Sequence, residues 1–412
     1  MILPFLKRKL SNHLTVLYRH TPKNLMAEIQ LMFPGGQLRE PAALGGLSNF
    51  TMELAVKGTQ KRSYRELCEV IESLGGSIWG DDAQDYGSLN LSVPAEEAER
   101  ALPLFAEVVL ESAFPTEEIE KEKKATLAEI KSKEEHPFTI AYERLNGLLF
   151  GDHAYGKPGL GTRETVGRIS RNDILRWKET WLKPDQAVLS IAAPLAPDRT
   201  LKSLKALLGN SWGRQGPQLP AAKPLKALRQ EKRVKLEKRF QQAYLLIGFR
   251  APGLSSPLYP QTKILNALLG GGMSARLFQE IREKRGLAYD VGSFYPTRLL
   301  ASSFVIHVGL QPPKIKKAEA CVHKLLEDLK TTAPKREQVE EAKRYIRGTY
   351  FMDHQTNSRK AFYMGWWEIL GKGAAYDSRY AEEIERVTPE SVKEAAQEIF
   401  EQPPQIVELH PN

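Results

Sequence analysis

An arginine and a tyrosine stand seven residues apart at the end of a glycine-rich stretch, and both carry donors that can bind a carbonyl oxygen. The stretch reads GGGMSARLFQEIREKRGLAY, and the pair is Arg282 and Tyr289. Arginine presents a rigid fork of N–H donors, and tyrosine presents one phenolic O–H. Such donors stabilise an oxyanion when they converge on it. The alternative is structural, with the arginine at a helix end and the tyrosine in a core, and the spacing alone favours this alternative.

The local sequence predicts which elements hold this pair. The three glycines end one helix, and Ser274 is the expected N-cap of the next, whose apolar face is supplied by Leu277 and its neighbours. Gly286 is the expected left-handed residue after that helix, and a strand-like run follows it. The turn at Gly286 is expected to fold Arg282 and Tyr289 toward the same place.

The triplet Gly270, Gly271 and Gly272 has two further interpretations. It forms either a plain turn or a flexible wall of a substrate cleft, and we expect it to contact substrate in the second case. A phosphate-binding loop is excluded because no Gly-Lys-Ser or Gly-Lys-Thr follows the glycines.

Length and composition indicate a globular protein of two domains. The chain has 412 residues, too many for one core, so we expect two domains of about 200 residues each. Hydrophobic residues make up 42% and charged residues 26%, which is ordinary for a soluble protein. No apolar run approaches the roughly 20 residues that a bilayer span needs, so we expect no membrane span.

Two features bear on the compartment. The N-terminal basic residues follow only a very short apolar patch, which is the wrong order for a secretory signal. Cys68 and Cys321 lie far apart, so a disulfide framework is not expected. We therefore expect a cytoplasmic protein, or a periplasmic one if a signal has been removed.

The net charge of +9 comes from one part of the chain. Residues 199–239 hold twelve Lys or Arg against two Glu, a net charge of +10. The middle of this part is rich in Gly and Pro and is predicted to be a linker. Because nucleic-acid binding needs a basic stripe on a folded surface, we expect no nucleic-acid partner.

The order of elements is repeated in the two halves. Before the linker, two strands, two helices, a strand pair, three or four helices and a last strand follow one another; after it the same order returns. The pattern predicts an α+β fold built from a duplicated unit, a mixed sheet with helices packed on it.

One helix of the first half carries a family resemblance. The segment GLSNFTMELAVKGT resembles the zinc helix of the pitrilysin or insulinase family of metallopeptidases, whose motif is His-x-x-Glu-His before a Gly-Thr pair. By this resemblance Asn49 and Glu53 stand where the two histidine ligands belong, and Met52 stands where the general-base Glu belongs. The third ligand of the family is a Glu on a later helix, and the position it implies here is Glu129.

These replacements remove the chemistry of a zinc enzyme. The amide oxygen of Asn49 is a weak ligand, and the thioether of Met52 cannot take a proton from water. Glu53 and Glu129 could in principle hold a hard cation, but for Asn49 and Glu53 an exposed helix face is the favoured interpretation. None of the eight histidines forms a pair three to five residues apart that would supply another site. We therefore expect neither a metal nor a cofactor in this chain.

The resemblance extends over most of the chain. GDHAYGKPGLGT is similar to a segment that follows the third ligand in the family, and MSARLFQEIREKRGLAY is similar to its Arg/Tyr segment. In the family this Arg and Tyr bind the carbonyl of the scissile peptide bond beside the zinc, and the resemblance assigns these roles to Arg282 and Tyr289. It also implies two homologous α/β-sandwich domains at residues 1–208 and 231–412, joined by a linker at 209–230, as half of a clam-shell.

Some members of the family divide the zinc helix and the Arg/Tyr pair between two homologous chains. This sequence is similar to the chain that keeps the pair. The resemblance thus implies a non-catalytic subunit that binds peptide and supplies Arg282 and Tyr289 to zinc held by a partner with an intact His-x-x-Glu-His. The alternatives are a non-proteolytic scaffold of the same fold, like core subunits of respiratory complexes, and an independent hydrolase with a displaced metal site.

Overall fold

The structure is a computed structural model that describes residues 4–213, 216 and 225–412. Of the predicted linker at 209–230, residues 214, 215 and 217–224 lie outside the described residues. By their contacts the residues form two compact units. The first comprises Met1–Ile130, Pro158–Ala221 and Met352–Ser378, and the second comprises Lys131–Lys157, Ala222–Phe351 and Arg379–Asn412.

The first unit contains a six-stranded mixed sheet in the order β1-β2-β6-β3-β5-β4. The pairing of β2 with β6 is parallel, and the other neighbours are antiparallel. The strands are β1 (Leu6–Lys9), β2 (Thr15–His20), β3 (Met26–Pro34), β4 (Ser77–Asp82), β5 (Tyr86–Pro94) and β6 (Val188–Ala193).

The second unit repeats this sheet with five strands in the order β7-β11-β8-β10-β9. Again one pair, β7 with β11, is parallel, and the other neighbours are antiparallel. The strands are β7 (Lys232–Lys238), β8 (Ala243–Pro252), β9 (Ala288–Phe294), β10 (Ala301–Leu310) and β11 (Gln405–Pro411). Strand for strand, this order matches β2-β6-β3-β5-β4, so the predicted duplication and α+β class are confirmed.

Helices follow the strands in both halves. The first half contains α1 (Leu47–Ala55), α2 (Tyr64–Ser73), α3 (Ala98–Glu111), α4 (Thr116–Lys133), α5 (Pro137–Phe150), α6 (Arg163–Arg168), α7 (Arg171–Trp181) and α8 (Pro197–Leu204). The second half contains α9 (Tyr259–Gly270), α10 (Ile315–Thr331), α11 (Arg336–Asp353), α12 (Asn357–Ile369), α13 (Tyr376–Glu385) and α14 (Pro389–Phe400). Between α9 and β9 lies a π-helical turn, Phe278–Glu283.

Each sheet has one face covered by a helix from the other half of the sequence. In the first unit α12 packs on β3 and β6, and in the second unit α5 packs on β8 and β11. Alternation along β3 separates the two faces: Phe33 joins the core beneath α1, whereas the sulfur of Met32 contacts Gly365 of α12. This exchange of helices sets the boundaries of the two units.

Three details add to the sequence expectations. β1 is an additional, exposed edge strand. The basic stretch continues into β7, an exposed edge strand on which Arg233 pairs with Glu319 and Glu408; charges of this kind protect a sheet edge from pairing with another chain. Among the described residues no helix is both long and apolar enough to span a membrane.

Candidate functional site

Arg282 is held at the end of the π-helical turn by a glycine cap. Gly286 adopts φ 55°, and its N–H donates to the carbonyl of Arg282 at 3.0 Å. This bond is that of the αL capping motif, and the N–H of Leu287 closes a wider loop by donating to the carbonyl of Ile281 at 2.9 Å. The predicted left-handed cap is confirmed. The predicted N-cap at Ser274 is wrong, because the first helical bond runs from the N–H of Gln279 to the carbonyl of Ala275 at 3.0 Å, which makes Ala275 the N-cap.

The side chain of Arg282 is exposed and lies over an aromatic ring. Its guanidinium carbon is 4.9 Å from the centre of the Phe278 ring, one turn earlier. A guanidinium over a ring face is held by a cation–π interaction while its donors remain available to solvent. The turn therefore presents Arg282 outward.

Tyr289 is aimed by an irregularity in the edge of the second sheet. Gly309 pairs with Asp290 and Leu310 pairs with Ala288, so Tyr289 is the extra residue of a bulge in β9. Its ring lies over Gly309: a Cβ at that glycine would be 2.8 Å from the Tyr289 hydroxyl. The side chain is 40% exposed, so it does not fill a core.

The hydroxyl of Tyr289 has a partner across the glycine. Gly309 pairs on its other side with Tyr244 of β8. Burial, followed by the interaction with the Tyr244 side chain, raises the pKa of Tyr289 above its ordinary value. At neutral pH the phenol thus keeps its proton and can donate.

Asp290 links the two candidate side chains electrostatically. The Nδ1 of His307 is 3.4 Å from its Oδ2, and His307 lowers the pKa of Asp290 most, with the positive charge of Arg282 adding to the effect. The negative charge of Asp290 also contributes to the raised pKa of Tyr289. The structure thus brings Arg282 and Tyr289 to one exposed edge of the second unit.

In the first unit, α1 is fixed by a half-buried carboxylate. Glu40 accepts the N–H of Gly46 at 3.0 Å and that of Ser48 at 2.8 Å, which caps the helix N-terminus. Burial raises the pKa of Glu40 to about 7 in spite of these two bonds. The helix that resembles the zinc helix is therefore firmly positioned.

The three candidate positions on α1 have different surroundings. Met52 is 2% exposed, and its sulfur packs against Gly87 of β5 beside Phe33. Asn49 and Glu53 are half-buried, so the expected exposed helix face is only partly right. Met52 thus serves the core and has no solvent-facing chemistry.

Carboxylates do gather beside Glu53. Burial raises the pKa of Glu53 most, and the charges of Glu122 and Glu129 on α4 add to the rise. The ammonium of Lys57 pairs with Glu122 and lowers that pKa in part. The implied third-ligand position, Glu129, therefore does lie near α1.

This donor set does not fit zinc. The set consists of a neutral amide, a buried thioether and carboxylates, and one of these carboxylates, Glu122, is already paired with Lys57. Zinc prefers imidazole or thiolate ligands together with a carboxylate. In the part of the chain that the structure describes, no three His, Cys, Asp or Glu side chains are grouped so as to hold a metal ion.

Comparisons with known proteins identify the family of this chain. Residues 15–163 match the family model of the insulinase peptidases, family M16, and residues 168–346 match the model of the peptidase M16 inactive domain. An uncharacterized zinc protease of Rickettsia bellii is 30% identical over 393 residues, which cover 94% of this chain and 90% of the relative. The chain belongs to peptidase family M16.

Another relative and two solved structures are also similar to this chain. The uncharacterized zinc protease YmxG of Bacillus subtilis is 27% identical over 390 residues, 94% of each chain. A peptidase M16 inactive domain from Pseudomonas fluorescens superposes with a TM-score of 0.89 at 21% identity, covering 100% of this chain and 98% of that one. A protease from Helicobacter pylori superposes at 0.91 with 17% identity over the full length of both chains. The predicted two-domain fold is confirmed.

The glycine triplet of this M16 protein is mainly a packing device. A Cβ on Gly270 would be 2.1 Å from the backbone nitrogen of Ser293 on β9, and one on Gly271 would be 2.7 Å from the Cα of Ala267. Gly272 is exposed and has only ordinary contact with the ring of Tyr345. Gly270 and Gly271 are half-buried, and Gly272 is the most exposed of the three.

Two residues that support the site escape sequence reasoning. Tyr244 and Gly309 act on Tyr289 only because β8, β10 and β9 are neighbours in the sheet. No motif marks either residue. The signal that could find them is the strand register, which needs the tertiary pairing.

Proposed function

We propose that this M16 protein is a non-catalytic subunit of a heteromeric zinc peptidase. It binds the peptide substrate and supplies Arg282 and Tyr289 to the zinc site of a homologous partner chain with an intact His-x-x-Glu-His. The observation that carries the proposal is the contrast between the two units. The second presents an exposed Arg/Tyr pair, whereas α1 of the first lacks the donors for zinc.

The two side chains bind the carbonyl oxygen of the scissile bond. The intact His-x-x-Glu-His of the partner would hold the zinc, which would supply Lewis-acid chemistry and an activated water at that carbonyl. Tyr289, whose pKa is raised, donates its phenolic proton in a hydrogen bond, and Arg282 supplies a permanent charge and a fork of donors. Both interactions strengthen as negative charge develops on the oxygen, so they favour the transition state over the substrate. Gly272 forms part of the wall beside the peptide.

The test is turnover of a peptide by the reconstituted complex. The chain is combined with a homologue from the same organism that carries an intact His-x-x-Glu-His. Arg282→Ala and Tyr289→Phe are each expected to lower kcat/KM by on the order of a hundred-fold while the complex still assembles, as loss of an oxyanion donor does. Size-exclusion chromatography with light scattering verifies the assembly.

Matched controls separate the pair from general surface effects. Arg285 lies three residues after Arg282, is also exposed and pairs with Glu280; Arg285→Ala is expected to retain activity. Tyr64 is 40% exposed, the same as Tyr289, and Tyr64→Phe serves as its control. Wild-type kinetics in both Arg282→Ala and Tyr289→Phe would instead support the non-proteolytic scaffold.

A further inference from the structure

A pocket lies in the first unit, on the sheet face opposite α1. Helix α12 covers β2, β6 and β3 on this face, but the sheet continues for two more strands, β5 and β4. The uncovered strands and the first turns of α12 enclose a pocket of about 280 Å³. Its lining consists of Gln30, Trp79, Asp81, Asp82, Tyr86, Ser88, Asn90, Ser358, Arg359 and Phe362.

The floor of the pocket holds a buried hydrogen-bond acceptor. Gln30 is 5% exposed, and its amide nitrogen donates to the carbonyl of Ser358 at 3.3 Å. This bond fixes the orientation of the amide, so that Oε1 is the free end. Among the described residues Oε1 has no hydrogen-bond partner. A buried acceptor of this kind destabilises the protein unless a donor reaches it.

Two carboxyl groups of β4, those of Asp81 and Asp82, line the pocket. Asp81 is exposed, and its Oδ2 accepts the indole N–H of Trp79 at 2.8 Å and the amide of Asn90 at 3.1 Å, which holds the carboxylate in place. Asp82 accepts the hydroxyl of Ser48. Burial, with the charge of Asp81 adding, raises the pKa of Asp82 well above its ordinary value.

The cation in the lining is already neutralised. Arg359 makes a bidentate pair with Asp353, with N···O distances of 2.9 Å and 2.5 Å, and its guanidinium lies 4.5 Å from the centre of the Phe362 ring. The pocket therefore has an excess of acceptors and negative charge. The rings of Trp79 and Phe362 add faces that attract a cation and pack against an aliphatic stem.

We propose that this pocket binds the cationic side chain of a peptide residue, arginine or lysine. The aliphatic stem packs against the aromatic walls, and the guanidinium or ammonium donates to Asp81 and to Oε1 of Gln30. The inference rests on the proposed function only in taking a peptide as the source of the cation. The pocket residues are distinct from Arg282 and Tyr289.

Calorimetric titration of the isolated chain tests this without any turnover. The probes are two short peptides, acetyl-Ala-Arg-Ala-amide and the same peptide with citrulline, whose neutral urea has the shape of the guanidinium. Wild type is expected to bind the arginine peptide at least tenfold more tightly. Asp81→Asn is expected to remove this preference, and Gln30→Met is expected to weaken binding of the arginine peptide. Free arginine amide is expected to bind more weakly than the peptide.

The control is Asp85→Asn, since Asp85 lies in the turn between β4 and β5 but does not line the pocket. This variant is expected to retain the preference for arginine. That result would show that the preference comes from direct contact with the pocket and not from long-range attraction by negative charge. Equal affinity of wild type for the arginine and citrulline peptides, or a preference that persists in Asp81→Asn, overturns the inference. Asp81 is exposed, so its variant is expected to fold even if Gln30→Met does not. These binding measurements do not depend on the turnover measured with Arg282→Ala and Tyr289→Phe, so either test can fail without the other.

Discussion

Gly270→Ala is expected to destabilise the second unit strongly. The added methyl would lie 2.1 Å from the backbone nitrogen and 2.5 Å from the hydroxyl of Ser293. An ordinary contact between such atoms is about 3.5 Å, so the end of α9 or strand β9 must move by more than about 1 Å. The movement also strains the bond from the Ser293 hydroxyl to Oδ1 of Asn266, which is 2.9 Å in the wild type.

The magnitude follows from these two losses. Overpacking against backbone costs about 1–3 kcal/mol, and the weakened hydrogen bond costs about 0.5–1.5 kcal/mol. Together we expect a loss of about 2–4 kcal/mol in the free energy of unfolding. For a unit of about 200 residues, each 1 kcal/mol lowers Tm by about 2–4 °C, so the expected decrease is about 5–15 °C.

Urea unfolding followed by circular dichroism measures this loss, and Gly272→Ala is the matched control. A methyl on Gly272 would be 3.6 Å from the nearest atom, in the ring of Tyr345, so we expect a change within about 0.5 kcal/mol. If Gly270→Ala unfolds at the same urea concentration as wild type with an unchanged m-value, the packing explanation of the triplet is wrong.

Two further predictions concern buried ionisable groups. Glu40→Gln tests the helix cap: because the folded-state pKa of Glu40 is raised from 4.5 to about 7, its favourable contribution is complete below pH 4.5 and is lost as the pH rises through 7. Wild type should therefore lose about 3 kcal/mol relative to the variant between pH 4.5 and pH 8 in urea unfolding, and parallel pH profiles would contradict this. Lys263→Met tests a lysine on α9 whose pKa is lowered from 10.5 to about 7 by burial, although its ammonium donates to the carbonyl of Tyr295 at 2.9 Å. As the pH falls from 10.5 through 7, the charged form of Lys263 increasingly opposes folding. The variant should therefore be about 2–4 kcal/mol more stable than wild type at pH 6, and this advantage should be smaller at pH 9. A variant that is less stable than wild type at both pH values would refute the reasoning.

Local signals predicted the elements well. Ser63 caps α2 with a capping box, in which the side chains of Ser63 and Glu66 each accept the backbone N–H of the other residue. Gly286 takes the left-handed conformation expected after the π-helical turn. Such signals succeed because caps and periodicity act between residues that are only a few positions apart.

Other features depend on distant partners, and sequence reasoning missed them. Helices α5 and α12 pack on the sheet of the other half, which their own amphipathic patterns cannot indicate. Five helices lie between β5 and β6 where three or four were predicted, because α6 is only six residues long and α4 and α5 are separated by a short turn. The orphan acceptor of Gln30 arises only when α12 meets β3.

By itself the sequence determined the duplicated α+β order, the loss of zinc donors at Asn49, Met52 and Glu53, and the local capping that presents Arg282. The tertiary structure alone decided that Tyr289 lies across Gly309 beside Tyr244, that Met52 belongs to the core, and that a pocket opens beside α12. The physical reason is the range of the interactions. Backbone caps and side-chain identity are local, whereas burial, strand register and the shifts in pKa that follow from them depend on residues brought together from distant parts of the chain.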